Sequence, residues 1–169
     1  MQVIQHQELA SSQAYIEFTS IPQTFTDLCI LVSGRIDNAD GGIVIRFNGV
    51  TTGYTRRNLN GSGSGVTSFS GSDGYIGTAA LNGDTANTFG NTQIYIPNYT
   101  ASTAKSVSGD GVSENNGTTA YQTIAAVSWS GTDPITTIRL TPGLGNFVQY
   151  TSATLYGVLK GSDGVTTVS

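Results

Sequence analysis

Arg139-Leu-Thr-Pro-Gly-Leu-Gly-Asn-Phe-Val-Gln-Tyr-Thr-Ser-Ala-Thr-Leu-Tyr-Gly-Val-Leu159 reads as two short strands joined by a glycine-rich corner. Alternation lets Ile138, Leu140, Phe147, Leu155 and Leu159 point inward, while threonine, glutamine and tyrosine fill much of the remainder. Nothing in this stretch brings reactive chemistry, and the rest of the chain repeats its pattern. A protein built of such units, with one histidine, one cysteine and few charges, reads as surface or building material rather than a catalyst.

The 169 residues predict a single domain, 1–169, with one core. Charged residues make up 11% of the chain against a usual share of about 25%. Its polarity comes instead from Ser, Thr, Asn, Gln and 22 glycines, neutral groups suited to turns, exposed strand faces and hydrogen-bonded contacts. A net charge of -4, with 7 basic residues dispersed along the chain, leaves no footprint for a phosphate backbone, so nucleic acid is not an expected partner. Arg56 and Arg57 form the one adjacent basic pair. Strand alternation sends them to opposite faces, as solvated or ion-paired groups or as contacts to an acidic partner protein.

A lone cysteine, Cys29, excludes an intrachain disulfide; within Asp27-Leu-Cys-Ile-Leu-Val-Ser33 it reads as a small buried hydrophobe. The opening Met1-Gln-Val-Ile-Gln-His-Gln-Glu-Leu-Ala10 lacks the basic start and apolar run of a secretory signal. No segment approaches the roughly 20 apolar residues that span a bilayer, so no membrane is expected and the chain should mature in the cytoplasm that makes it.

The period is two nearly throughout, broken by turn residues at short intervals, which predicts an antiparallel two-sheet sandwich. Strands are expected near 2–5, 14–18 (Ala14, Ile16 and Phe18 on one face), 28–32, 43–47, 53–59, 92–96, 104–108, 121–129, 135–141, 147–150 and 153–159. Leu28-Cys-Ile-Leu-Val32 is apolar on both faces and is expected to be central and covered on both sides. Asp37-Asn-Ala-Asp-Gly-Gly42 and Asn48-Gly49 are turns, and residues 60–65 and 110–119 are loops. Residues 61–90 hold only weak strands, near 66–69 and 75–79. So many short strands in one small domain favour a jelly roll, with an immunoglobulin sandwich as the alternative. Residues 1–10 and 160–169 are candidate arms that order against a neighbour.

Candidate chemistry is sparse. His6 would have to recruit Cys29 and distant carboxylates to hold zinc. Gly61-Ser-Gly-Ser-Gly65 is a flexible loop and not a nucleophile elbow. Glu17, Asp27, Asp37, Asp40, Asp73, Asp84, Asp110, Glu114, Asp133 and Asp163 supply carboxylates for a glycosidase pair, but most stand where aspartate stabilises turns. Asp37, Asn38 and Asp40 match no established calcium loop. No cofactor or metal is implied. Around the loop-rich middle, Phe69, Tyr75 and Tyr99 are candidate recognition residues, with Tyr54 as a further ring, while Phe89 and Tyr95 read as core. Val3, Ile4 and Leu9 of the opening segment, with Arg56 and Arg57, are candidates for an interface.

Three stretches carry a resemblance: Ala14-Tyr-Ile-Glu-Phe-Thr-Ser-Ile-Pro-Gln-Thr-Phe-Thr-Asp-Leu-Cys-Ile-Leu-Val-Ser-Gly-Arg35, Ile45-Arg-Phe-Asn-Gly49, and Ile138-Arg-Leu-Thr-Pro142 through Phe147-Val-Gln-Tyr150 to Ala153-Thr-Leu-Tyr-Gly157. In them the chain resembles small virion proteins of tailed bacteriophages, in particular jelly-roll decoration or cement proteins of phage heads. The resemblance implies a non-enzymatic capsid decoration protein on the virion surface. It implies binding to the major capsid protein over capsomer junctions and association with itself as a homotrimer. It carries over no catalytic residue. The alternative is a carbohydrate- or receptor-binding module of a phage tail or fibre, with recognition in the loops of 61–90 and 110–119.

Overall fold

The computed structural model describes residues 1–114 and 120–159. Twelve strands occur among them: β1 Gln2–Glu8, β2 Ile16–Phe18, β3 Asp27–Gly34, β4 Gly42–Phe47, β5 Tyr54–Gly61, β6 Val66–Gly71, β7 Tyr75–Thr78, β8 Gly90–Ile96, β9 Lys105–Glu114, β10 Ala120–Trp129, β11 Ile138–Pro142 and β12 Ser152–Val158. No described residue is helical. The strands form two antiparallel sheets, ordered β1-β12-β3-β8-β9-β10-β5-β6 and β2-β11-β4-β7.

That order resolves the choice between sandwiches. Set aside the hairpins β5–β6 and β9–β10, and the eight strands left read, in chain order, 1-8-3-6 in one sheet and 2-7-4-5 in the other. This is the double Greek key of a jelly roll. The two hairpins join the exposed side of β8 and lengthen one sheet to eight strands, so it overhangs its four-stranded partner.

Alternation explains how the sheets meet. In the small sheet Phe18, Ile138 and Phe47 align across strands, followed by Ile16, Leu140 and Ile45, all buried. Facing them, Leu155, Ile30 and Ile94 line up across β12, β3 and β8. Each such side chain contributes about 1.5–3 kcal/mol through burial. At the junction with the added hairpins, Trp129 stacks on Tyr54 at 6.1 Å and meets Phe47 of the small sheet at 5.5 Å.

Turn chemistry closes the frame. Asn48 and Gly49, both at positive φ, make the tight turn in which Val50 N–H donates to the Phe47 carbonyl at 2.9 Å. The Asn48 side chain accepts from the N–H groups of Thr136 and Thr137 at 2.9 and 3.1 Å, tying this turn to the approach to β11.

Several expectations need correction. Ala14 and Leu159 are exposed, not inward. Residues 147–150 form no strand: Phe147 makes only isolated bridges to Gln13 and Ile36, and Tyr150 turns to positive φ. Residues 110–114, expected as loop, extend β9, and residues 60–61 extend β5. β3 is central, but only its inner face is fully covered: Cys29 is buried between Tyr156 and Tyr95, whereas Leu31 is exposed. The strand expected near 2–5 runs from 2 to 8 and pairs with β12 of the same chain, so it orders without a neighbouring subunit. The arm expected at 160–169, and the 115–119 part of the expected loop, lie outside the described residues.

Candidate functional site

The residues proposed from sequence scatter. Val3 is exposed on β1 at one edge of the large sheet, and Phe69 is exposed on β6 at the opposite edge. Ile4 is partly buried against the core and Leu9 is buried in it. Tyr99 is fully buried, its hydroxyl donating to the Pro22 carbonyl. Tyr95, expected in the core, faces out.

Arg56 and Arg57 do diverge. Arg57 is exposed on the outer face. Arg56 turns inward, where its guanidinium lies 4.9 Å from the Tyr75 ring centre. Its Nε sits 2.7 Å from Asp73 Oδ1, an ion pair by distance although the N–H is not aimed at the oxygen. Arg56 and Tyr75 are the two proposed site residues that the fold brings together.

Six of the candidate carboxylates serve local structure, while Asp163 lies outside the described residues. Asp27, Asp37, Asp40, Asp73 and Asp84 each accept a backbone N–H, from Asn98, Asn146, Gly42, Tyr75 and Leu81 respectively, at 2.7–3.1 Å. Glu17 pairs with Arg139 Nε at 2.8 Å. His6 Nδ1 lies 2.7 Å from Thr154 Oγ1. No group of three or more metal-ligating side chains occurs among the described residues. Burial pushes the Cys29 thiol up, away from thiolate. Lys105 is buried and its pKa is lowered by desolvation, which Asp133 opposes; its Nζ donates to the carbonyls of Ala101 and Thr103 at 2.7 and 2.5 Å. That ammonium ties down the loop before β9.

Two surfaces stand out instead, on opposite sides of the large sheet. On the outer face three rows cross β3, β8, β9, β10 and β5: Cys29-Tyr95-Ser108-Ala126-Arg57, Leu31-Gln93-Asp110-Ile124-Leu59 and Ser33-Asn91-Val112-Gln122-Gly61. Arg57 and Asp110 are the only charged residues in these rows. Leu31, Leu59, Val112 and Ile124 are 41%, 49%, 42% and 51% exposed. The small side chains of Ser106, Ser108, Ala126 and Ser128 leave a shallow trough of about 600 Å³ between Tyr95 and Arg57.

Tyr95 gives this face a pH signature. Its hydroxyl donates to Asp27 Oδ2 at 2.6 Å, and that bond, with burial and the carboxylate charge, pushes the phenol up to about 12. Because the folded value exceeds the ordinary one near 10, this contribution to stability is complete below pH 10 and is lost as pH rises towards 12. Replacing Tyr95 with Phe should therefore flatten the dependence of stability on pH between about 10 and 12, measured by urea unfolding at several pH values. An unchanged profile would locate the alkaline loss elsewhere.

On the inner side, where the large sheet overhangs, a cleft of about 340 Å³ opens between the edge of β7 and the inner face of β5, β9 and β10. Sequence reasoning missed Asn60, Ser113, Tyr121 and Thr123 here. The available signal was parity: Tyr121 shares the face of Ala125, Val127 and Trp129.

The architecture defines a jelly-roll sandwich with an extended, nearly neutral outer face and, beneath its overhang, a cleft lined by amides, hydroxyls, aliphatic groups and two tyrosine rings. Comparison with family models, with curated proteins and with solved structures found no match to this chain.

Proposed function

We propose that this protein is a non-enzymatic structural protein of a phage virion, a decoration protein that sits as a homotrimer over junctions between major capsid subunits and stabilises the head. The virion setting rests on the resemblance in 14–35, 45–49 and 138–157. One observation carries the binding role: the outer face of the large sheet, where four exposed aliphatic side chains stand among neutral hydrogen-bonding groups. Such a surface suits a folded protein partner that is itself nearly neutral, because a protein interface gains from apolar anchors and pairs few charges at its centre. Repetition over a symmetric shell multiplies modest contacts into firm attachment. The edge strand β6, Val66–Gly71, is uncharged and exposed along nearly its whole length, which suits it to contacts between sister subunits.

The test is add-back of purified protein to particles stripped of it. Wild-type protein should rebind to the head and restore resistance to heat. The double variant Leu31→Gln with Ile124→Gln should bind about 30-fold or more weakly, the effect of losing central anchors worth about 2 kcal/mol. Both side chains are exposed, so melting should barely change. Density on the tail rather than the head in electron micrographs would overturn the head assignment, and unimpaired binding by the double variant would move the interface off this face. Deleting residues 1–10 would not serve, because it removes β1 and the buried Leu9.

A further inference from the structure

The inner face of the overhang changes character partway along two paired strands. Trp129 opposite Tyr54 is apolar and covered by the small sheet. Moving along the ladder, Val127 faces Arg56, Ala125 faces Asn58, and Thr123 faces Asn60. A sandwich that merely extended its core would continue with aliphatic residues here. Instead the floor of the cleft is amide and hydroxyl, and β7 walls it with Tyr75.

Three buried atoms in this region lack a hydrogen-bond partner among the described residues, one of them Arg56 Nε, which stands beside Asp73. Asn58 is buried, its Oδ1 accepts from Arg56 Nη1 at 3.1 Å, and its Nδ2 has no hydrogen-bond partner among the described residues. Asn60 Oδ1, on the cleft residue beside it, is likewise buried without a donor. Buried amide groups left unpaired are unusual and unfavourable. Among the described residues, the one carboxylate on the lining is Asp84, and it is turned to its own loop by the Leu81 N–H at 2.7 Å. The cleft therefore offers amides, hydroxyls and two tyrosine rings, with Tyr121 partly open to solvent. Its volume lies within the span of small-molecule sites, about 300–1,000 Å³.

We propose that this cleft is a binding site for a neutral saccharide. A sugar hydroxyl donates and accepts at once, so it can satisfy Asn60 Oδ1 while accepting from a neighbouring donor. The apolar face of a pyranose ring packs on an aromatic ring, the part assigned to Tyr121. A charged sugar would find no counter-charge among the described lining residues, and Arg56 nearby is engaged by Asp73 and Tyr75. The cleft and the outer face lie on opposite sides of one sheet, so a copy docked through Leu31 and Ile124 would turn the cleft away from its support. Many copies on one particle would then hold a glycan-coated surface with avidity.

The test is an array of neutral hexose, deoxyhexose and N-acetylhexosamine oligosaccharides, with sialylated and sulfated glycans as controls, probed with the full chain. Binding to neutral members is expected, and Tyr121→Ala and Asn60→Ala should each weaken the best of them at least tenfold. Tyr121→Ala should leave the melting temperature unchanged. If Asn60→Ala fails to fold, the best neutral oligosaccharide titrated into isotope-labelled wild-type protein should shift the amide signals of Asn60, Tyr121 and Thr123. Silence on every neutral glycan, preference for the acidic controls, undiminished binding by Tyr121→Ala, or signal shifts confined to another surface would each overturn the proposal. None of these results bears on attachment through the outer face.

Discussion

Trp129→Ala should lower stability by about 3–5 kcal/mol, a large part of the roughly 5–15 kcal/mol that holds a domain folded. The indole ends β10, is 3% exposed, and is the meeting point of the two sheets. Tyr54 stacks on it from the neighbouring strand, Phe47 reaches it from the small sheet, and the Lys105 ammonium stands 6.0 Å from its ring. Tyr54 also accepts the Phe47 N–H at 2.8 Å, so the cluster holds the β4–β5 turn as well as the core. Removing the indole leaves a cavity that these anchored rings cannot close. For a chain of this length the melting temperature should fall by about 6–20 °C, read by circular dichroism or calorimetry. Tyr121→Ala, eight positions earlier on the same face, is the control, with a change of about 0.5 kcal/mol or less. A loss below about 1 kcal/mol at Trp129 would mean that the sheets are not joined through this cluster.

The contrast between those two positions shows how far alternation carries a reading of this chain. Period two identifies the buried stripe Thr123, Ala125, Val127 and Trp129, and the face that Tyr121 shares with it, but not where the covering sheet stops. That limit is set by the strand order, a property of long-range pairing. Within β8, Ile94 and Ile96 point inward and Tyr95 must then point outward, so its exposure was legible; weighting ring size over parity places it wrongly in the core. Tyr99 fails differently. It follows Pro97 and Asn98, the latter at positive φ, and a turn resets the phase on which parity depends. The cleft was hidden for a third reason: Asn58 and Asn60 look like surface residues until pairing with Ala125 and Thr123 fixes them on the inner face. The neutral outer face was foreshadowed by composition, yet its aliphatic rows emerge only when distant strands align.

Gly109→Val should be nearly as damaging as loss of the indole, and it probes why glycine-bearing residues 109–114 form a strand although their composition suggests a loop. Glycine and aspartate are poor strand formers, and β9 contains Gly109, Asp110 and Gly111 in succession. Both glycines occupy inward positions. A Cβ at Gly109 would overlap the Ile76 carbonyl oxygen, and one at Gly111 would come within 3.0 Å of the Thr78 N–H nitrogen. The backbone of β7 thus lies directly on β9, closer than any side chain allows. Thr92 completes the contact: its hydroxyl donates to the Thr78 carbonyl at 2.7 Å and accepts the Thr78 N–H at 3.1 Å. Valine at 109 would have to push β7 off the large sheet, breaking that pair and displacing Tyr75 from the cleft wall. The expected cost is about 3 kcal/mol, near the upper end for overpacked sites, with a fall in melting temperature of about 6–12 °C. Saccharide binding in the cleft should weaken in step, while attachment through Leu31 and Ile124 should persist at temperatures where the variant stays folded. Gly83→Ala, at a loop position where an added Cβ meets nothing within 4 Å, is the matched control. If Gly109→Val melts like the wild type, the close seating of β7 on β9 is wrong, and with it the shape of the cleft.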